Sequence, residues 1–154
     1  LVKSKSDISI VVDLRWLDYW SKRFDNPLDD LESLILNAND EIINIGEKVN
    51  SYDQIQGQFI GLMKFSTLGV KRLKDTYSYF RSNGKIMNKD IRDAYMTDLL
   101  QEMINRGHKL KAIKIKAPWL EIDTIFDFNN VETKKRMKVI DRKINNFISN
   151  KKIY

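Results

Sequence analysis

The sequence predicts an α/β fold: a partial doubly wound, mostly parallel (Rossmann-like) sheet with an inserted β-hairpin and C-terminal helices. Three observations point that way. Asp7-Ile8-Ser9-Ile10-Val11-Val12-Asp13 is a short, β-branched run ending in an acid, and its near-continuous hydrophobicity is the habit of a strand buried on both faces. Strand-like and helix-like segments then alternate along the chain, the order that builds parallel sheets. Polar Asn37-Ala38-Asn39-Asp40 lies between the apolar stretches Leu31 to Leu36 and Glu41 to Ile45, which reads as a hairpin.

The remaining elements follow in order. After the first strand comes a polar segment with Trp16, Tyr19, Trp20 and Arg23, closed by the turn signal Asp25-Asn26-Pro27. A strand from Gln58 to Phe65 precedes Ser66-Thr67, a helix cap. Thr67 to Phe80 carries Leu68, Leu73, Tyr77 and Phe80 near helical spacing, and Ser82-Asn83-Gly84 ends it. In Asn88 to Arg106, Ile91, Tyr95, Leu99, Leu100, Met103 and Ile104 form one apolar stripe, with Gly107 as the stop. His108 to Lys116 reads as a strand broken by Pro118. Trp119 to Ile122 resumes extended structure, and Asp123-Thr124 opens the terminal helices. Ligands of open α/β sheets lie beyond the carboxyl ends of strands, so Asp13, Phe65 and Asp123 are the ends to watch.

Composition narrows the function classes. The 154 residues suffice for one domain with a real core. No apolar run approaches the roughly 20 residues that span a bilayer, and the first residues have no signal-peptide core. The absence of cysteine excludes disulfides and thiolate metal sites, and a cytoplasmic location is expected. The net charge of +6 is concentrated: residues 134–154 hold eight basic residues and one acid, leaving 19 basic against 20 acidic residues elsewhere. The body is therefore near neutral, and the chain divides into a unit over 1–133 and a basic helix or tail over 134–154. That distribution argues against nucleic acid as the partner.

The most informative string is Trp119-Leu120-Glu121-Ile122-Asp123-Thr124. A carboxylate after a short apolar strand can face a crevice and bind magnesium, which takes one or two carboxylates beside phosphate oxygens and water. Equally, Asp before Thr-Ile-Phe-Asp-Phe can simply cap the next helix. Arg23 and Lys48 either neutralise a substrate phosphate or are solvated charges. Trp16, Tyr19 and Trp20 form either a cage for a quaternary ammonium or core packing. Asp98 is read as a local stabiliser and His108, the one histidine, as a surface residue.

Trp119-Leu120-Glu121-Ile122-Asp123 followed by Asp127-Phe128 resembles the closing motif of the nucleotidyltransferases that join a nucleoside triphosphate to a sugar phosphate or phospho-alcohol. Gly57-Gln58-Phe59-Ile60-Gly61-Leu62-Met63-Lys64-Phe65-Ser66 resembles their central strand that passes the acceptor, and Tyr95-Met96-Thr97-Asp98-Leu99-Leu100 the helix motif after it. Trp20-Ser21-Lys22-Arg23-Phe24 with Asn26-Pro27-Leu28-Asp29-Asp30-Leu31-Glu32 looks like the cytidylyltransferase branch that handles phosphocholine, aminoethylphosphonate or phosphorylated capsule precursors. The likeness covers about Asp7 to Val131.

The resemblance implies a magnesium-dependent transfer of a cytidylyl group from CTP to a phosphorylated or phosphonate acceptor, releasing pyrophosphate. It makes Asp123 the metal ligand and catalytic anchor, and puts Gln58, Gly61, Arg23, Lys48, Trp119 and Glu121 at the substrates. Gln58 stands where sugar nucleotidyltransferases often have Glu. The family's opening G-x-G-x-R loop is missing: none of Gly46, Gly57, Gly61, Gly69, Gly84 and Gly107 belongs to such a string. Backbone N–H groups of that loop cradle the triphosphate. The chain, which begins with Leu1, is thus expected to be the carboxyl-terminal half of the domain. It should be inactive alone, completed by the missing N-terminal half, and prone to homo-oligomerise through exposed strand edges. A non-catalytic α/β binding module and a sugar-1-phosphate nucleotidyltransferase are the alternatives.

Overall fold

A computed structural model describes residues 1–116 and 119–151. The expected break at Pro118 and residues 152–154 of the basic tail lie outside the described residues. The first strand, β1 (Ile8–Asp13), is buried along its whole length, as its unbroken apolar run predicts. A short helix, α1 (Trp16–Trp20), forms within the polar segment that follows. The hairpin forms where its turn residues put it, from β2 (Glu32–Leu36) and β3 (Glu41–Lys48). Asp40 takes a φ of 57° in its turn, and the Asn37 side chain accepts hydrogen bonds from the N–H groups of Asn39 and Glu41.

Strand β4 (Gln58–Phe65) leads into α2 (Thr67–Asn83). Ser66 caps this helix by accepting from the Gly69 N–H, and Gly84 ends it at φ +70°. The next helix, α3 (Met96–Asn105), starts eight residues later than the apolar stripe suggests, counting from Asn88. Two-residue strands β5 (Lys85–Ile86) and β6 (Lys89–Asp90) form a tight hairpin first, with Met87 and Asn88 at positive φ between them. That left-handed pair is the geometry of a two-residue hairpin turn. Asp98, nearly fully buried, then accepts from the Tyr95 N–H and from the Lys89 ammonium, a structural role as expected.

The last strand is β7 (Leu110–Ile115), followed by α4 (Ile125–Asn129) and α5 (Val131–Lys151). No helix among the described residues is long and apolar enough to cross a membrane.

Five strands make one sheet in the order β2-β3-β7-β1-β4. The α/β class, the hairpin and the C-terminal helices are as expected, but the sheet is mixed rather than mostly parallel. Only β1 and β7 pair in parallel; β1·β4, β2·β3 and β3·β7 are antiparallel. The hairpin is no appendage, because β3 extends the main sheet through β7. Helix α3 lies over one face, where Leu100 and Met103 meet Ile8, Ile10, Val12, Leu34, Ile45 and Leu110 in the main core.

Strand direction decides which ends share an edge. Asp13 pairs with Ile115 of parallel β7 and with Gln58 at the start of antiparallel β4. Phe65, the end of β4, pairs with Ile8 at the opposite edge and so leaves the group of ends to watch.

Candidate functional site

The edge that holds Asp13, Gln58 and Ile115 is covered by a second cluster, built on Trp16, Tyr19, Trp20, Leu31, Val49 and Ile55 with Trp119 and Leu120 against it. The aromatic residues of α1 are therefore core, as the packing alternative held. Trp16 rests on Tyr52 at 5.9 Å, and Tyr19 meets Trp20 and Trp119 edge-on. The cation beside these rings is the protein's own. The Arg23 guanidinium lies 5.5, 5.4 and 5.1 Å from the ring centres of Tyr19, Trp20 and Phe24.

Residues 119–124 form neither strand nor helix, so the short strand expected before Asp123 is not there. Side chains from distant elements fix this stretch instead. Trp119 Nε1 donates to Asp13 Oδ2 at 2.7 Å, Arg136 Nε of α5 donates to the Trp119 carbonyl at 2.7 Å, and the Tyr19 hydroxyl donates to the Glu121 carbonyl at 3.0 Å while accepting from the Glu121 N–H. Buried Asp13 also accepts from the Arg15 N–H, so both its oxygens serve the fold.

Arg23 is the hub. Its Nε donates to Asp127 Oδ1 at 3.0 Å, Nη1 to Glu121 Oε2 at 2.9 Å and Nη2 to Asp123 Oδ2 at 2.8 Å. The arginine side chain is 3% exposed, against 7% for Asp127, 37% for Glu121 and 62% for Asp123. The capping alternative for Asp123 is corrected. Thr124 caps α4 in a reciprocal box with Asp127, whose Oδ2 accepts from the N–H groups of Asp123 and Thr124 and from the Thr124 hydroxyl. Asp123 is therefore left with one oxygen on Arg23, and its Oδ1 accepts no hydrogen bond among the described residues.

Electrostatics separate the three carboxylates. The hydrogen bond from Arg23 holds the Asp127 carboxyl down at about 2 against burial, with Thr124 reinforcing it. Burial pushes Glu121 up and the charge of Asp123 adds to that, while the charge and hydrogen bond of Arg23 oppose the rise without reversing it. For Arg23, burial disfavours the charge, but the hydrogen bonds to Asp127 and Asp123 and the charges of Asp127 and Glu121 outweigh it, so its pKa is raised.

The structure thus brings Arg23, Trp119, Glu121 and Asp123 together, with Gln58 one pairing away through Asp13. Gln58 Oε1 is a buried oxygen without a hydrogen-bond partner among the described residues. Gly61 lies where the β1·β4 register shifts, at φ +76° with open space at its missing Cβ. Lys48 faces elsewhere, into a groove of about 630 Å³ that it shares with Asp30, Glu32, Lys89, Tyr95 and Asp98. Asp30 links the two regions by accepting from Trp20 Nε1 at 3.0 Å.

Asp127, Tyr19 and Arg136 also hold the site: the sequence offered Asp127 only as part of the closing motif, Tyr19 as a possible cage wall, and Arg136 as one of the basic residues of the tail. His108 is partly exposed, in the wall of a surface cavity of about 390 Å³ at the opposite edge that it shares with Asp7, Arg72 and Lys111. Among the described residues, no group of three or more acidic or histidine side chains is placed to hold a metal unaided.

Comparison with known proteins agrees with the resemblance to cytidylyltransferase-like nucleotidyltransferases that these motifs carry. The chain is 40% identical over 127 residues to CTP:phosphoglutamine cytidylyltransferase of Campylobacter jejuni subsp. jejuni serotype O:2 (strain ATCC 700819 / NCTC 11168). The match takes in 82% of this chain and 50% of that protein, so the chain spans about half the length of this relative. No protein-family profile matches it.

Proposed function

We propose that this chain is the acceptor- and metal-binding part of a cytoplasmic cytidylyltransferase. An oxygen of a phosphorylated acceptor attacks the α-phosphorus of CTP, the bond from that phosphorus to the β-phosphate oxygen breaks, and pyrophosphate leaves. Such in-line transfer asks mainly for positioning and for positive charge against the charge that builds on the phosphates.

One observation carries this reading: Asp123 is the most exposed member of the Arg23 carboxylate cluster, and its Oδ1 accepts no hydrogen bond among the described residues. A hard carboxylate with one open oxygen fits magnesium, which fills its other positions with phosphate oxygens and water. When bound, magnesium supplies the positive charge that the transferring phosphates need. Glu121, Trp119, Gln58 and Gly61 are assigned to the bound substrates beside Asp123. Lys48 and Lys89 of the adjoining groove are the cations assigned to an acceptor phosphate. The relative named above acts on phosphoglutamine, which makes a phosphorylated amino acid the first acceptor to try.

The triphosphate-cradling loop is not among these 154 residues, so we assign it to a longer polypeptide, and the chain alone should turn over no CTP. The test supplies that polypeptide with CTP, phosphoglutamine and magnesium and measures pyrophosphate. Release that Asp123→Ala abolishes is the expected result. Unchanged release by that variant overturns the metal assignment. A strong preference for UTP or dTTP overturns the cytidylyl reading and leaves the reaction class standing.

A further inference from the structure

We infer that Arg23 is the positioning residue for the metal-binding carboxylate: it clamps Asp123 by one oxygen and keeps the other turned outward for the cation. This rests on the magnesium role given to Asp123 above.

The stretch 119–124 has no hydrogen-bonded ladder of its own, so the direction of the Asp123 side chain must be set from outside. Each arm of the guanidinium reaches a different carboxylate of the segment 121–127, at 2.8 to 3.0 Å. The arginine cannot wander, because its side chain is buried and its guanidinium lies over the rings of Tyr19, Trp20 and Phe24. A planar fork locked in this way transmits its orientation to whatever it holds. Asp127 does not compete for the cation, since both its oxygens are spent, on Arg23 and on the start of α4.

The cluster also sets three carboxylates against one guanidinium, which leaves a second cation favoured beside the exposed member. Arg23 itself is unavailable to an acceptor phosphate while its donors are committed. Its assignment therefore moves from substrate contact to positioning.

Arg23→Lys tests this, because lysine keeps the charge but offers a point in place of a fork. In the CTP-using polypeptide, we expect the magnesium concentration for half-maximal pyrophosphate release to rise about tenfold or more, in line with other residues that orient a metal ligand. The KM for CTP should move far less. In metal-free protein, hydrogen exchange at the Asp123 and Thr124 amides should quicken. A folded Arg23→Lys protein with the wild-type magnesium requirement overturns the inference. So does an equal shift from Tyr19→Phe, which loosens the same segment at Glu121 while keeping the ring beside Arg23. Should Arg23→Lys fail to fold, the wild-type protein decides: its Arg23 Nε–H is expected to exchange slowly and to shift on magnesium addition, and exchange as fast as at surface arginines overturns the assignment. Loss of the magnesium role itself is read separately, from Asp123→Ala.

Discussion

Arg23 and Asp127 meet across 104 residues of chain, Nε to Oδ1 at 3.0 Å, with both side chains almost shut off from water. This pair ties the segment after α1 to the start of α4. Removing Asp127 leaves the buried Arg23 Nε–H without its acceptor, although Glu121 and Asp123 still pair with the other two nitrogens, and strips α4 of its capping carboxylate. Asp127→Ala should therefore cost about 2–4 kcal/mol of unfolding free energy. Asp127→Asn keeps an acceptor for the Thr124 cap and should cost less. Urea unfolding followed by circular dichroism measures both.

Asp123→Ala offers the contrast. The same arginine holds Asp123, but this carboxylate stands mostly in water, where an ion pair contributes about 1 kcal/mol or less. We expect a nearly unchanged urea midpoint together with loss of magnesium-dependent turnover. A destabilisation as large as that of Asp127→Ala would mean that Asp123 is a structural residue.

Gly69 sits in the first turn of α2, where a methyl group would collide with the Asp7 carbonyl and crowd the Ile8 side chain. Asp7 cannot retreat freely, since it accepts from the Ser66 N–H at 2.8 Å and from the Ser66 hydroxyl and Arg72. Gly69→Ala should lose about 1–3 kcal/mol through this forced shift. A thermal melt reads the loss, and an unaltered melting temperature would show that α2 can slide.

His108 predicts a pH effect. Burial lowers its pKa, and the charges of Arg72 and Arg106 lower it further, with Asp75 opposing them. The unfolded chain then binds the proton more readily than the folded one. Stability from this group is fully present above about pH 6.5 and falls as the pH drops below it. Melting temperatures measured between pH 7.5 and 5.5 should decline, and His108→Asn should flatten the decline. An identical slope in the variant would assign the effect to other groups.

Local signals were good guides to local structure. The β1 run, the Asn37–Asp40 turn, the Ser66 cap and the Gly84 stop each name a feature that a few neighbouring residues control. The start of α3 was misread because an apolar stripe reports a face and says nothing of where the backbone turns. Met87 and Asn88 adopt a left-handed turn that the sequence did not advertise, and the helix waits until it is complete.

Sheet direction lay further out of reach. A buried apolar strand reads alike whether its neighbours run parallel or antiparallel, because burial depends on what covers its faces and not on the sense of the next chain. Only the fold shows β4 running against β1, which sends Phe65 to one edge and brings Gln58 beside Asp13 at the other.

By itself, the amino-acid order determined the α/β class, most element positions and, through its motifs, the likeness to cytidylyltransferases. It also put Glu121 and Asp123 on the short stretch that matters. The tertiary structure alone decided how three carboxylates share one arginine: Asp127 buried and spent, Glu121 pressed by its neighbours, Asp123 with an oxygen open to water. The reason is physical. A carboxylate's chemistry follows from its solvent exposure and from the donors around it, and here those donors come from residues about a hundred positions away in the chain.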